Sequence, residues 1–239
     1  MTLGIKMKTR ANFVAAMAEA KRLSDREYFS PKALPRDLGI GGSTFRAYQR
    51  AGVSPSRIFR AWVDEEGKTI LSSCLGRGSR SAFLKIHKRL TESWAAYWNS
   101  HAKRQIRVCE KYKAVDLYLK AIAFSGGHEF GHLRESLYRY GNTPLDKFSL
   151  GLVRNLFVGI VLSRQPSMGD IEDEESYWFL QRGLHASMRT TGTPNMAFDF
   201  YAWDHKHSNL PNHSPDPTPL AVTPAAAAPV APAGGRESS

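Results

Sequence analysis

The fold class is decided by the stretch Ser79–Trp98, which reads SRSAFLKIHKRLTESWAAYW. Its large apolar residues recur at helical spacing and are Phe83, Ile86, Leu90, Trp94 and Trp98. An apolar stripe with this period is typical of an amphipathic α-helix. Ser79 stands where an N-cap serine is favoured, and the opposite face carries Lys85, Lys88 and Arg89. The stretch therefore predicts a long helix with one buried and one basic face.

The rest of the body shows the same helical periodicity. Further helices are predicted over 12–23, 113–124, 148–161, 176–187 and 195–203. Ser54-Pro55 reads as an N-cap followed by a first-turn proline. A small β-hairpin is predicted near 62–71, where Asp64-Glu-Glu-Gly67 resembles a turn. We therefore expect an all-α fold with one minor strand pair.

Composition divides the chain into a body and a tail. Residues 211–239 hold seven prolines and an alanine run, so we predict a disordered Pro/Ala-rich tail beyond a folded body of residues 1–210. The tail's charges are Asp216, Arg236 and Glu237, which leaves 32 basic and 20 acidic residues, a net charge of +12, for the body. A folded body this basic favours a polyanionic partner, most often nucleic acid.

Several classes of protein are disfavoured by composition. No run of about 18 apolar residues is present, so no membrane-spanning helix is expected. The two cysteines, Cys74 and Cys109, are too few for a disulfide framework or a four-cysteine zinc site. A reducing, cytoplasmic compartment is therefore predicted.

One short motif points to metal chemistry. His128-Glu-Phe-Gly-His132 matches HExxH, which on a helix directs two imidazoles at one zinc ion and places the glutamate, here Glu129, to activate water. Gly126 and Gly127 precede the motif where a firm helix is required, and no third ligand is evident downstream. A zinc metallopeptidase is thus an alternative hypothesis. In our preferred interpretation, the protein uses no metal and no cofactor.

A second constellation joins two helix starts. Lys113-Ala-Val-Asp116-Leu-Tyr-Leu-Lys-Ala121 opens one apolar helix with a lysine. About thirty residues later, Pro144-Leu-Asp146 precedes the next apolar helix, where Asp146 is a good N-cap. Structural roles alone would explain each residue. Lys113 fits a surface position in the first turn of a helix, and Asp116 fits a residue whose side chain bonds to a nearby loop.

Residues 105–160 resemble the helix-hairpin-helix DNA N-glycosylases, most of all the archaeal 8-oxoguanine DNA glycosylases and bacterial relatives of unknown substrate. The resemblance is carried by a lysine at a helix start and by Pro-x-Asp opening the next helix. It implies a two-lobed, glycosylase-like helical domain in which Lys113 and Asp146 are catalytic. It also places Asp116 where several family members have an aspartate, near the substrate.

The segment Gln105–Tyr112 departs from this pattern, because it replaces the Pro-Gly-x-Gly hairpin that grips a DNA phosphate in the family. We expect three basic side chains to contact DNA instead, namely Arg104, Arg107 and Lys111. An extruded base needs aromatic walls, for which Tyr112 and Trp203 are candidates.

The chemistry expected of these residues is excision of a damaged or modified base, in repair or against phage DNA. The Asp146 carboxylate would stabilise positive charge on the sugar. Either the Lys113 amine attacks C1′, which would give a lyase, or water attacks and leaves a plain abasic site. The partner expected is double-stranded DNA; we expect a monomer and infer no obligate protein partner. A non-catalytic helical nucleic-acid-binding protein is the other alternative.

Overall fold

Helices carry most of the chain in the computed structural model, which describes residues 6–7, 9–48, 51–73 and 78–208. They are α1 (Arg10–Phe29), α2 (Gly42–Phe45), α3 (Pro55–Trp62), α4 (Lys68–Ser72), α5 (Arg80–His101), α6 (Val108–Phe124), α7 (Arg134–Tyr140), α8 (Lys147–Leu156), α9 (Glu174–Arg189) and α10 (Ala197–Ser208). The predicted all-α fold is confirmed. The predicted disordered tail, 211–239, lies outside the described residues.

Strands are minor and tie distant segments together. β1 (Lys6–Met7) pairs antiparallel with β4 (Phe157–Val158), with Lys6 opposite Val158. β2 (Lys32–Ala33) pairs parallel with β3 (Ser125–Gly126), with Lys32 opposite Ser125. β4 also ends α8 five residues before the predicted limit of 161.

The hairpin predicted near 62–71 is wrong. Val63–Gly67 forms a π-helical turn that joins α3 to α4 without a break. Trp62, Val63 and Leu71 are buried in the core, and Gly67 lies against the Trp62 ring. Burial of these apolar side chains therefore holds the segment helical despite its turn-like composition.

Two hydrophobic cores share helix α6. The first is built mainly by α3, α5 and α6, with Trp62, Trp94 and Tyr118 among its largest side chains. The second is built by α1, α8, α9 and α10, and includes Phe13 and Phe198. Because α6 supplies residues to both cores, each of its residues is buried or partly buried. No helix among the described residues is long and apolar enough to cross a membrane.

Candidate active site

Asp146 is held by the start of α8. Its backbone is extended, and its Oδ1 accepts hydrogen bonds from the amides of Phe148 at 2.8 Å and Ser149 at 3.1 Å. The Ser149 hydroxyl in turn accepts the Asp146 amide at 2.8 Å. The predicted N-cap is therefore confirmed. This reciprocal capping fixes the carboxylate with Oδ1 occupied and Oδ2 directed elsewhere.

Lys113 lies opposite that second oxygen. Its Nζ is 3.7 Å from Asp146 Oδ2, and both side chains are about nine-tenths buried, with 9% and 10% of their surface exposed. Lys113 does not begin its helix, however, because α6 starts at Val108. The buried Glu110 carboxylate accepts the Arg107 amide at 3.1 Å and supports this earlier start. The structure thus brings the two predicted catalytic residues together, with the lysine one turn inside the helix.

The pair lines a cavity of about 900 Å³ between the two cores. Part of its lining comes from the loop and helix around Gly39 and Arg46, and another part from the start of α8 and from Trp203 in the middle of α10. Arg107 and Lys147 also line it. Among the described lining residues, Asp146 is the only carboxylate. The cavity therefore presents one anion within a basic surround.

Trp203, a predicted substrate-binding residue, is one of the residues that line this cavity. Its ring meets Phe148 edge-on, with centroids 4.8 Å apart, and 40% of the residue is exposed. A half-exposed indole beside a buried ion pair offers a flat apolar face at a polar site. Phe148 was missed as a site residue, because its place in an apolar helix reads as core.

A buried second ion pair is electrostatically coupled to the first. Lys120 Nζ contacts Asp199 Oδ2, and the other oxygen, Oδ1, has no hydrogen-bond partner within the described part of the chain. Burial raises the pKa of Asp199; the Lys120 cation opposes the rise, and the Asp146 carboxylate adds to it. Asp199 could not be predicted as a site residue from the sequence, because a single aspartate within an aromatic run matches no motif of a functional site.

Asp116 and Tyr112 do not reach the cavity. Asp116 is 1% exposed, accepting hydrogen bonds from His87 Nε2 and the Tyr177 hydroxyl, each at 2.8 Å. Burial raises the pKa of Asp116, and the bond from His87 opposes the rise. Tyr112 is buried and stacks on Tyr177, with ring centroids 3.8 Å apart. Asp116 therefore has an internal hydrogen-bonding role, whereas Tyr112 lines a separate groove of about 630 Å³.

The predicted DNA-binding cations are engaged with carboxylates. Arg104 and Arg107 both bind Glu110, at 2.7 Å and 2.6 Å, and the Glu110 side chain is fully buried. Lys111 pairs with Glu174. Arg107 still lines the cavity and keeps over half of its side chain exposed. Of the three residues, the structure places only Arg107 where a ligand of the cavity would meet it.

The HExxH segment does not form a zinc site. Residues 128–130 lie in a turn, followed by a single 3₁₀ turn at Gly131–Leu133, rather than on the helix that the motif requires. His128 Nε2 lies 3.0 Å from the Ser125 carbonyl, and its Nδ1 accepts the Phe130 amide at 3.1 Å. Among the described residues, no three side chains are grouped to hold a metal ion. His128 therefore closes the turn after α6.

Gly39 brings the loop before α2 close to the cavity. Its φ is +76°, and a Cβ there would lie 2.7 Å from the Cβ of Ala121. Only glycine allows this approach without strain. The glycine-rich stretch around Gly39 therefore works as a packing element that closes the loop onto α6.

Comparison of the chain with protein-family models, curated proteins and solved structures finds no significant match.

Proposed function

We propose that the protein is a DNA N-glycosylase that excises a damaged or modified base from an extruded nucleotide. The proposal rests on one observation above all: Lys113 and Asp146 meet at 3.7 Å in a cavity large enough for a nucleoside. An amine and a carboxylate held together in this way suit chemistry that develops positive charge on a sugar.

Asp146 acts as the electrostatic stabiliser. When the N-glycosidic bond breaks, its electron pair leaves with the base, which takes up a proton, and the sugar becomes positively charged. Oδ2 lies 3.7 Å from Lys113 Nζ in the residue pair that lines the cavity, while Oδ1 remains fixed by two backbone amides. A carboxylate anchored in this way requires no reorganisation as the charge develops.

Lys113 acts as the nucleophile. After losing a proton, its amine bonds to C1′; opening of the sugar ring then sends the ring C–O electron pair to oxygen and leaves a Schiff base. Hydrolysis of that adduct releases the lysine and leaves an abasic site. The neighbouring carboxylate is suited to accept the amine proton.

The cavity walls suit a nucleotide. Trp203 and Phe148 supply aromatic faces on which an extruded base can pack, and base flipping requires such a pocket. Arg46, Arg107 and Lys147 carry positive charge for the flanking phosphates. The basic composition of the whole body favours the same partner.

The test is base release from duplex DNA carrying oxidised, alkylated or deaminated bases and from phage DNA with natural modifications, followed by mass spectrometry. Asp146→Asn should bind DNA as the wild type does, yet lower base release by about 100-fold or more. Asp173→Asn is the matched control, because Asp173 caps α9 by accepting the Ser176 amide at 2.7 Å, away from the cavity. Release of no base from any substrate, or full activity of Asp146→Asn, would overturn the proposal.

A further inference from the structure

A second groove runs between α5 and α9, separate from the catalytic cavity. It has a volume of about 630 Å³, and it shares Arg80, His185 and Arg189 with an adjoining groove of about 800 Å³. Among the described residues, neither groove shares a lining residue with the 900 Å³ cavity. Lys111 lines this groove and Lys113 lines the cavity; two residues apart on α6, they point to opposite sides of the helix.

The groove carries more positive charge than its own carboxylates can balance. Each carboxylate lining the two grooves already has a cation: Glu92 pairs with Lys88, Glu174 with Lys111, and Glu135 with Arg139. Arg80, Arg182 and Arg189 have no carboxylate within 4.0 Å among the described residues. Three guanidinium groups therefore line one groove without a directly paired carboxylate in the described part of the chain.

The positive groups are arranged on two helix faces. Arg182, His185 and Arg189 follow one another at helical spacing on α9 and so share one side of that helix. Arg80 faces them from the first residue of α5. Burial lowers the pKa of His185, and the charges of Arg80 and Arg189 lower it further, as expected where cations crowd together.

Arg80 is held rigidly rather than swinging in solvent. Its guanidinium donates to the Tyr140 carbonyl and, at 3.2 Å, to Asn142 Oδ1, and it lies 5.2 Å from the centre of the Phe83 ring. These neutral acceptors orient the group, and the carboxylate that acts on it, the buried Asp116, does so without a direct ion pair among the described residues. An arginine fixed in this way loses little conformational entropy when it binds an anion.

We propose that this groove is a second binding site, which takes the phosphate groups of a nucleotide or of a single nucleic-acid strand. A guanidinium fork matches phosphate oxygens in geometry and charge. The partly buried Trp178 lines the groove beside the arginines and offers an aromatic surface to a base. The proposal does not depend on the excision chemistry at Lys113 and Asp146.

The experiment measures binding of the full chain to a fluorescent oligothymidine strand by anisotropy. Arg182→Gln/Arg189→Gln should raise the dissociation constant at least about fivefold. Arg57→Gln/Arg60→Gln removes the same charge from exposed positions on α3 outside both grooves and should change it less than about twofold. Arg182→Lys/Arg189→Lys should restore much of the affinity. Equal weakening by both glutamine pairs, or no weakening by the groove pair, would overturn the proposal.

Competition identifies the source of the phosphate. If millimolar nucleoside triphosphate displaces the strand from the wild type, free nucleotides are ligands of the site; if it does not, the strand itself is the ligand. Either result supports a phosphate site. Base release should persist in the groove variants, and strand binding at the groove should persist in Asp146→Asn, so the two proposals can fail separately.

Discussion

At the scale of single residues, the site depends on small differences in how similar groups are held. Asp116 and Asp146 are both buried aspartates on or beside apolar helices. In Asp116, however, both carboxylate oxygens accept hydrogen bonds, one from His87 and one from Tyr177. Asp146 keeps one oxygen for Lys113. Only the second arrangement leaves a carboxylate for a ligand. Asp116 could not be distinguished from Asp146 by sequence, because its partners come from distant helices.

Gly39→Ala should destabilise the fold by about 2 kcal/mol, since the substitution combines a positive φ with a Cβ placed 2.7 Å from Ala121. Gly42→Ala is the control, because its Cβ would meet nothing within 4 Å. Urea denaturation of the two variants should show a lower midpoint for Gly39→Ala alone. Equal midpoints would show that the loop does not press on α6 at Gly39.

Asp199→Asn should become more stable relative to the wild type as the pH rises. The pKa of Asp199 in the folded protein is raised above 3.8, so the unfolded chain ionises first and the carboxylate costs stability above that pH. Asparagine has no such cost. Chemical denaturation between about pH 4 and 7 should show that the difference in the free energy of unfolding between Asp199→Asn and the wild type grows with pH. Loss of the Lys120 partner in the variant changes the size of this difference but not its trend. A constant or shrinking difference would contradict a buried, ionised Asp199.

At the scale of elements, local capping signals located the starts of α5 and α8, whereas α1 extends six residues beyond its predicted end and α8 stops five residues before its own. Ser54 precedes α3 as predicted, but its side chain makes no capping hydrogen bond. The predicted caps Ser79 and Asp146 both form, because capping involves a side chain and amides only two or three residues away. The segment around Val63 was predicted wrongly, since its helical state depends on packing of Trp62 and Leu71 in the core rather than on its own composition. The start of α6 was misplaced for a similar reason, because Glu110 is buried by Arg104 and Arg107.

Asp146 caps α8 in addition to the catalytic role proposed for it, and the two roles can be tested separately. Asp146→Ala should lose about 1 kcal/mol of stability, because two amides lose their acceptor, whereas Asp146→Asn should retain most of it. Thermal unfolding measures the stabilities. If alanine and asparagine destabilise equally, the amide contacts do not support α8.

Glu110→Gln should destabilise the start of α6 by about 3 kcal/mol, because a fully buried carboxylate is replaced between Arg104 and Arg107. Glu174→Gln, which affects an exposed pair with Lys111, should cost less than about 1 kcal/mol. Denaturant titration of both variants provides the comparison. Similar small losses would show that the buried Glu110 carboxylate does not stabilise the start of α6.

At the scale of the whole molecule, the site lies where two cores meet. Helix α6 packs into both, and the cavity containing Lys113 and Asp146 lies at their junction. Helical periodicity predicted the all-α class, but the meeting of Lys113 with Asp146 was predicted from resemblance to glycosylases. Spacing alone cannot place two helix-borne groups at 3.7 Å, since their distance depends on the packing of the whole body.

The most direct test of the central claim is borohydride trapping on substrate DNA, followed by mapping of the cross-linked peptide. The account predicts an adduct on Lys113 in the wild type, loss of that adduct in Lys113→Ala, and its near loss in Asp146→Asn. An adduct on another lysine, or base release that continues undiminished in Lys113→Ala, would contradict it.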